Sequence, residues 1–118
     1  MRERVLRSDL HRLAAIREPR VLSVVPQRVW TREERQRIQL GFRARDMDDR
    51  WHFLVEGDRL FVHRSWLGDG RFDVTFVEAA EGHRITQVIV EDAEPRFPAG
   101  PDHELCALLE RLIDWRLL

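Results

Sequence analysis

Residues 50–66 read R-W-H-F-L-V-E-G-D-R-L-F-V-H-R-S-W, and this stretch decides the fold. Two apolar runs flank Gly57 and Asp58, a pair that is typical of the tight turn in a two-stranded hairpin. Counting outward from that turn places Trp51 opposite Arg64. The sequence therefore predicts an antiparallel hairpin at the centre of the chain.

The side chains of this hairpin sort into two faces, because successive strand residues point to opposite sides of a sheet. One face would carry Trp51, Phe53, Val55, Leu60, Val62, Arg64 and Trp66. The other would carry His52, Leu54, Phe61, His63 and Ser65. An antiparallel sheet often has one face exposed to solvent, but both of these faces are largely apolar. We therefore expect other parts of the chain to cover each face.

Further strands are predicted after the hairpin, over residues 71–78 and 83–91. A second turn at residues 68–70 would place Arg64 opposite Asp73 as a cross-strand ion pair. Residues 21–25 are β-branched and stop at a proline, which is typical of a short edge strand. The hairpin and the strands that follow it form an antiparallel meander.

Helical periodicity is found at both ends of the chain. Residues 3–17 predict an amphipathic helix that ends before Pro19, and a C-terminal helix is expected to begin at Pro101. The predicted fold is a single α+β domain over residues 1–118. It has an antiparallel four- to five-stranded meander packed by the C-terminal helix, together with the N-terminal amphipathic helix.

Residues 36–45 can be read in two ways. Thr31 and Glu34 have the spacing of a capping box, so a helix begins just after Thr31. We favour a short helix that gives way near residue 36 to an extended segment, which would add the fifth strand. The alternative is a helix that continues to Leu40 and uses Gly41 as its C-cap.

Composition narrows the class of protein. The 118 residues include 20 basic and 21 acidic side chains that are well mixed, so no basic surface for nucleic acid is expected. All of the basic residues are arginine, which we attribute to the codon bias of a GC-rich, bacterial genome. Cys106 is the one cysteine, and we expect it to be a buried small hydrophobe in a cytoplasmic protein. No signal peptide and no membrane span are predicted.

Two histidines and a serine lie on the second face of the hairpin, and of these His63 and Ser65 are the candidate catalytic residues. His52 and His63 face each other across the hairpin, close enough to share a metal ion or a proton. No cysteine lies nearby and the acids fall mostly on turns, so the ligand set is incomplete and no metal site is predicted. Ser65 lies two residues from His63 on the same face, without a nucleophile elbow around it. No cofactor is predicted.

A second group combines aromatic rings with charges, and its members are Trp51, Arg64, Trp66, Arg71 and Asp73. Two indoles and two guanidiniums can sandwich a base and contact phosphate, so these five are the candidate ligand-binding residues. The structural alternative is an Arg64–Asp73 pair that is packed between tryptophans and seals the core. The acidic residues 46–49 lack the pattern of a calcium loop and are expected to form a solvated turn.

Two segments also carry a family resemblance. D-M-D-D-R-W at residues 46–51 and L-F-V-H-R-S-W-L-G at residues 60–68 resemble a small bacterial domain family with the pattern M-D-x-K-W … L-Y-F-H-R-S-W-T-G. That family is associated with ADP-ribosylglycohydrolase-type proteins, as a neighbouring or attached module. The resemblance covers residues 46–77 and departs from the family pattern at Arg50, Val62 and Leu67.

Together these observations predict a small bacterial binding or accessory module. It would recognise a protein partner, or a nucleotide or ADP-ribose-type ligand, and the ADP-ribose part rests on the resemblance. One alternative is a small hydrolase or transferase that uses His63 with Arg64 or Ser65. Another is a structural subunit that forms a homodimer through an exposed sheet face.

Overall fold

The computed structural model describes residues 3–10, 12–46, 48–96 and 98–118. In chain order its strands and helices are β1 (Pro19–Val21), β2 (Val29–Trp30), α1 (Arg32–Gln39), β3 (Trp51–Glu56), β4 (Arg59–Arg64), β5 (Gly70–Ala79), β6 (Gly82–Glu91) and α2 (Asp102–Arg116). The strands form one antiparallel sheet in the order β1-β6-β5-β4-β3, and β2 also pairs with β6. The predicted α+β class, antiparallel sheet and C-terminal helix are confirmed.

The central hairpin has the register that the sequence predicted. Trp51 faces Arg64 and His52 faces His63, and the four pairs nearer the turn also match. Gly57 has a φ of 61°, a value that glycine adopts without a steric penalty and that suits a two-residue hairpin turn.

The register of the next strand pair was predicted wrongly. Asp73 lies opposite Phe61 rather than Arg64, and a further one-residue shift of the pairing falls between Val62 and His63. β4 ends at Arg64, and the turn that follows is closed by hydrogen bonds from the N–H of Arg64 to the carbonyl of Asp69 and from the N–H of Gly68 to the carbonyl of Arg64. The turn therefore begins earlier in the chain than the predicted turn at residues 68–70. Asp73 forms its ion pair with Arg59 instead.

The first face of the hairpin packs against α2. Leu105, Leu109, Leu112 and Ile113 of α2 share one core cluster with Phe53, Val62, Phe72 and Val74 of the sheet. The start of α2 is anchored by Asp102, which accepts hydrogen bonds from Arg20 at 2.6 Å and from the N–H of Ser23 at 2.9 Å. The Arg20 guanidinium, and then the N–H and the hydroxyl of Ser23, lower the pKa of Asp102 to about 2. This anchor ties the helix to the chain segment after β1.

The second face is covered by residues 3–10 and 12–16, and these described residues do not form the predicted amphipathic helix. Their regular structure is one 3₁₀ turn, Arg7–Asp9, and Arg12 has a φ of 57°. The N–H of Ala14 donates to the carbonyl of Gly68, and the N–H of Gly70 donates to the carbonyl of Ala14. An extended chain advances about 3.3 Å per residue and a helix about 1.5 Å, so the extended path covers more of the sheet.

The alternative interpretation of residues 36–45 is the one observed. Helix α1 continues to Gln39, Leu40 is its C-cap, and Gly41 follows with a φ of 68°. Phe42 then forms a single isolated bridge with Phe53, so this segment does not add a full fifth strand. Strands β1 and β2 extend the opposite edge of the sheet, and β1 overlaps the edge strand predicted at residues 21–25 only at Val21.

Within the described ranges, neither helix is both long enough and apolar enough to cross a membrane.

Candidate functional site

The five predicted ligand-binding residues are not brought together. Trp51 is buried and the guanidinium carbon of Arg64 lies 5.6 Å from its ring centroid. Arg71 is ion-paired with Asp69, a residue that the prediction did not include. Asp73 is held by Arg59. The predicted Arg64–Asp73 pair is therefore wrong, and Arg64 and Arg71 share the field of Asp69 instead.

Trp66 lies apart from these residues and lines a different cavity. The cavity has a volume of about 390 Å³ and lies between the N-terminal segment, the loop after α1 and the turn after β4. Its lining includes Arg12, Arg43, Arg45, His52, Ser65 and Trp66. The turn that follows β4 places Ser65 and Trp66 at the cavity because the Ser65 N–H is held by the carbonyl of Arg50.

The charge of this cavity is unbalanced in favour of cations. Arg12 and Arg43 have no carboxylate within ion-pair distance among the described residues, whereas Arg45 contacts Asp49 at 3.3 Å. The lining carboxylates hold backbone turns. Asp9 accepts a hydrogen bond from the N–H of Leu6 at 2.8 Å, and Asp46 accepts one from the N–H of Asp48 at 2.9 Å. Two guanidiniums are therefore available to an anion.

Three further features of the lining suit a bound molecule. The Trp66 side chain is 63% exposed, so its indole face is open for stacking. The Ser65 hydroxyl oxygen is buried and has no hydrogen-bond partner among the described residues, which is costly unless a ligand or water satisfies it. Arg12 has a left-handed backbone, and such conformations of non-glycine residues concentrate at functional sites.

His52 also lines the cavity, but its ring is already engaged. Its Nδ1 accepts a hydrogen bond from the N–H of Ala44 at 2.9 Å, so the proton of the neutral ring lies on Nε2. The ring is also hydrogen-bonded to the backbone of Ser65. Burial, followed by the positive fields of His63 and Arg43, lowers the pKa of His52. This side chain therefore orders the backbone on both sides of the cavity.

His63 lies at a second cavity, on the other side of the hairpin from α2. This cavity has a volume of about 300 Å³ and a mostly apolar lining that includes Ile16, Phe61 and Ile89. The Nδ1 of His63 lies 2.8 Å from the carbonyl oxygen of Gly68, to which it donates. Burial lowers the pKa of His63, although the hydrogen bond to Gly68 acts in the opposite direction. Ser65 does not line this cavity, so the predicted catalytic candidates lie at different sites.

No metal site is apparent in the described parts of the chain, which contain no group of three histidine, cysteine or acidic side chains in position to share an ion. Within the predicted solvated turn at 46–49, Asp49 is instead buried and is contacted by Arg45 and Arg116, while Met47 lies outside the described residues. Cys106 is buried as predicted, and its burial raises the pKa of its thiol.

The arginines of the Trp66 cavity were missed at the sequence level. Arg12 and Arg43 come from segments far apart in the chain and meet only through the extended N-terminal segment. In a chain whose 20 basic residues are all arginine, no local signal distinguishes these two. The unpaired state of a guanidinium is a property of the folded structure.

Comparison with known proteins found no match, whether to a protein-family model, to a curated protein or to a solved structure. The resemblance carried by the H-R-S-W segment therefore stays a prediction.

Proposed function

We propose that the chain is a binding module for an anionic ligand that carries an aromatic ring, such as a nucleotide or an ADP-ribose-type molecule. The observation that carries this proposal is the position of the exposed Trp66 beside two unpaired guanidiniums in one cavity of about 390 Å³. That volume lies within the range of small-molecule sites in proteins. The ADP-ribose class comes from the family resemblance of residues 46–77 and adds to the chemical argument.

The ligand would use each part of the lining differently. A phosphate would lie between Arg12 and Arg43, because guanidiniums give planar, charge-assisted hydrogen bonds to phosphate oxygens. The aromatic ring would stack on the indole of Trp66, and a ribose hydroxyl or phosphate oxygen would reach the Ser65 hydroxyl. The single cysteine, Cys106, is typical of a reducing compartment, so the proposal includes a cytoplasmic location.

The proposed binding is tested by calorimetric titration of the full chain with ADP-ribose, AMP, adenosine and ribose 5-phosphate. We expect the first two to bind most tightly, because only they present both a phosphate and an aromatic base. Trp66→Ala should weaken binding by about 1–3 kcal/mol, the usual contribution of one stacked base. Trp115→Ala is the matched control, since Trp115 is 62% exposed and lies on α2 away from the cavity lining.

The charge contribution is tested separately. Arg43→Ala should weaken AMP binding and flatten its dependence on salt concentration, because a screened ionic contact is lost. Arg111→Ala removes an exposed arginine of α2 that does not line the cavity, and it should leave both unchanged. If none of the four molecules binds, or if Trp115→Ala weakens binding as much as Trp66→Ala, the proposal is wrong and a protein partner becomes the better hypothesis.

A further inference from the structure

A buried guanidinium without a counter-ion lies at the opposite end of the central hairpin from Trp66. Arg35, in the middle of α1, is only 8% exposed. Its Nη2 donates to the carbonyl of Gly57 at 2.9 Å, and its guanidinium carbon lies 4.8 Å from the ring centroid of Phe76. Its Nε and Nη1 are buried and have no hydrogen-bond partner among the described residues.

This arrangement is costly for the isolated protein. Burial lowers the pKa of Arg35, which reflects the loss of water around a charged group, and Asp58 offsets this only at long range. Buried charges are normally paired with an opposite charge, and one left unpaired lowers stability by several kcal/mol. Hydrophobic side chains of similar size would fit the same place at lower cost. A ligand bound beside Arg35 would supply the missing partner.

A cavity of about 390 Å³ opens beside this side chain. It is lined by Arg35, the Gly57–Asp58 turn, Phe76, Glu78 and His83. The Nδ1 atom of His83 is buried and has no hydrogen-bond partner among the described residues. A second cavity of about 320 Å³, which has more of α1 in its lining, also reaches Arg35 and His83. Arg35 and His83, which line both cavities, therefore carry three buried nitrogen atoms that have no hydrogen-bond partner among the described residues.

The rim of the same cavity is acidic. Asp58 and Glu78 are exposed, and neither carboxylate forms an ion pair within the described ranges. A buried cation below two free anions is complementary to a molecule that has a carboxylate next to an ammonium group. A phosphate dianion would meet the same cation but would be repelled by the rim.

We propose that this cavity binds a small zwitterion of the free amino acid class. Its carboxylate would accept hydrogen bonds from Nε and Nη1 of Arg35, and His83 would contact the same group. Its ammonium group would face Asp58 or Glu78. Arg35 does not line the cavity beside Trp66, so this site is independent of the proposed nucleotide-type site.

The test is an NMR titration of the full-length, ¹⁵N-labelled chain at constant ionic strength, following the Arg35 Nε–H and His83 ring signals. The probes are the free amino acid glycine, acetate and inorganic phosphate. We expect saturable shifts of both signals, tightest for the free amino acid, weaker for acetate and weakest for phosphate. Paired Asp58→Asn and Glu78→Gln changes should remove the preference for the amino acid over acetate but leave acetate binding in place.

Arg35→Met should abolish the His83 shift with all three probes. If that variant does not give a native circular dichroism spectrum, Arg35→Gln provides a polar, uncharged replacement for the same measurement. Arg111→Met, on α2 outside this cavity, should bind like the wild type. The proposal is overturned if no probe gives a saturable shift up to about 100 mM, well beyond the millimolar range that marks weak binding. It is also overturned if phosphate binds tightest or if the Arg35 variants still bind.

Discussion

At the scale of single residues, His52 and His63 have backbone partners despite facing each other across the hairpin. His52 accepts from the N–H of Ala44, and His63 donates to the carbonyl of Gly68. Both rings are buried, and burial is the largest of the influences that lower the pKa of each. In this arrangement the neutral rings order the two turns beside them.

The lowered pKa values predict how stability depends on pH. The unfolded chain takes up protons on these rings near their ordinary pKa of about 6.5, whereas the folded chain resists protonation until lower pH. Stability is therefore full above about pH 6.5 and falls as the pH drops toward the folded pKa values. Thermal unfolding should show a melting temperature a few degrees lower at about pH 5.5 than at about pH 7.5.

Substitution of His63 tests how much this buried ring contributes to the pH dependence of stability. His63→Gln should reduce the dependence of melting temperature on pH, because the variant lacks one buried titrating group. His103→Gln changes an exposed ring at the start of α2 and should leave the dependence as it is in the wild type. An equal slope in wild type and His63→Gln would show that burial of this imidazole does not govern acid stability.

At the scale of elements, Gly41 forms the turn between the end of α1 and the segment that lies beside β3. Its φ is 68°, and a Cβ atom at this position would lie 2.3 Å from the carbonyl oxygen of Phe53. Gly57 has nearly the same φ, 61°, but a Cβ atom there would meet nothing within 4 Å. The two glycines therefore share a backbone conformation and differ in the space around them.

This pair makes a matched prediction. Gly57→Ala should cost about 1 kcal/mol, the usual penalty for a left-handed alanine. Gly41→Ala should cost clearly more, about 3 kcal/mol or above, because the backbone of β3 has to move as well. Denaturant unfolding of both variants measures the difference in the free energy of unfolding, and equal costs would mean that the Phe42–Phe53 bridge yields easily.

The elements also show what the sequence could and could not predict. The β3–β4 hairpin was predictable because a two-residue turn at Gly57–Asp58 sets the register of every pair. The next pair was not, because its turn is longer, is closed by hydrogen bonds among Arg64, Gly68 and Asp69, and is accompanied by a one-residue shift after Val62 that a count from the glycines does not include. The Trp66 cavity was not predicted, because its lining residues His52, Ser65 and Trp66 were assigned to two separate groups and the longer turn after β4 brings them to one place.

At the scale of the whole molecule, the N-terminal segment closes the second face of the sheet. Arg4 reaches the carbonyl of Val55, Arg7 forms an ion pair with Glu56, and the Arg7 guanidinium carbon lies 5.7 Å from the ring centroid of Phe61. The predicted homodimer through an exposed sheet face would have to displace this segment. The helical periodicity of residues 3–17 led to the wrong prediction here, because the described part of this segment covers the sheet as a largely extended chain with one 3₁₀ turn.

Removal of residues 1–16 should therefore turn a covered face into an association surface. Leu54, fully buried in the intact chain, would lose its cover together with Phe61, and contiguous apolar surface of this kind drives self-association. Sedimentation velocity over a range of concentrations should show larger species for the truncated chain than for the full chain.

A point variant makes the same test without deletion. Leu10→Asp, at a position only 7% exposed, should lower stability by about 2–4 kcal/mol and increase association.

Leu6→Asp is the control for that variant, because Leu6 belongs to the same segment but is 53% exposed. It should change stability by no more than about 0.5 kcal/mol, as surface substitutions usually do. If both variants and the truncated chain sediment like the full chain, the segment is not what keeps the second face from pairing. If the full chain is already dimeric and Leu10→Asp separates it, the N-terminal segment itself lies in the interface.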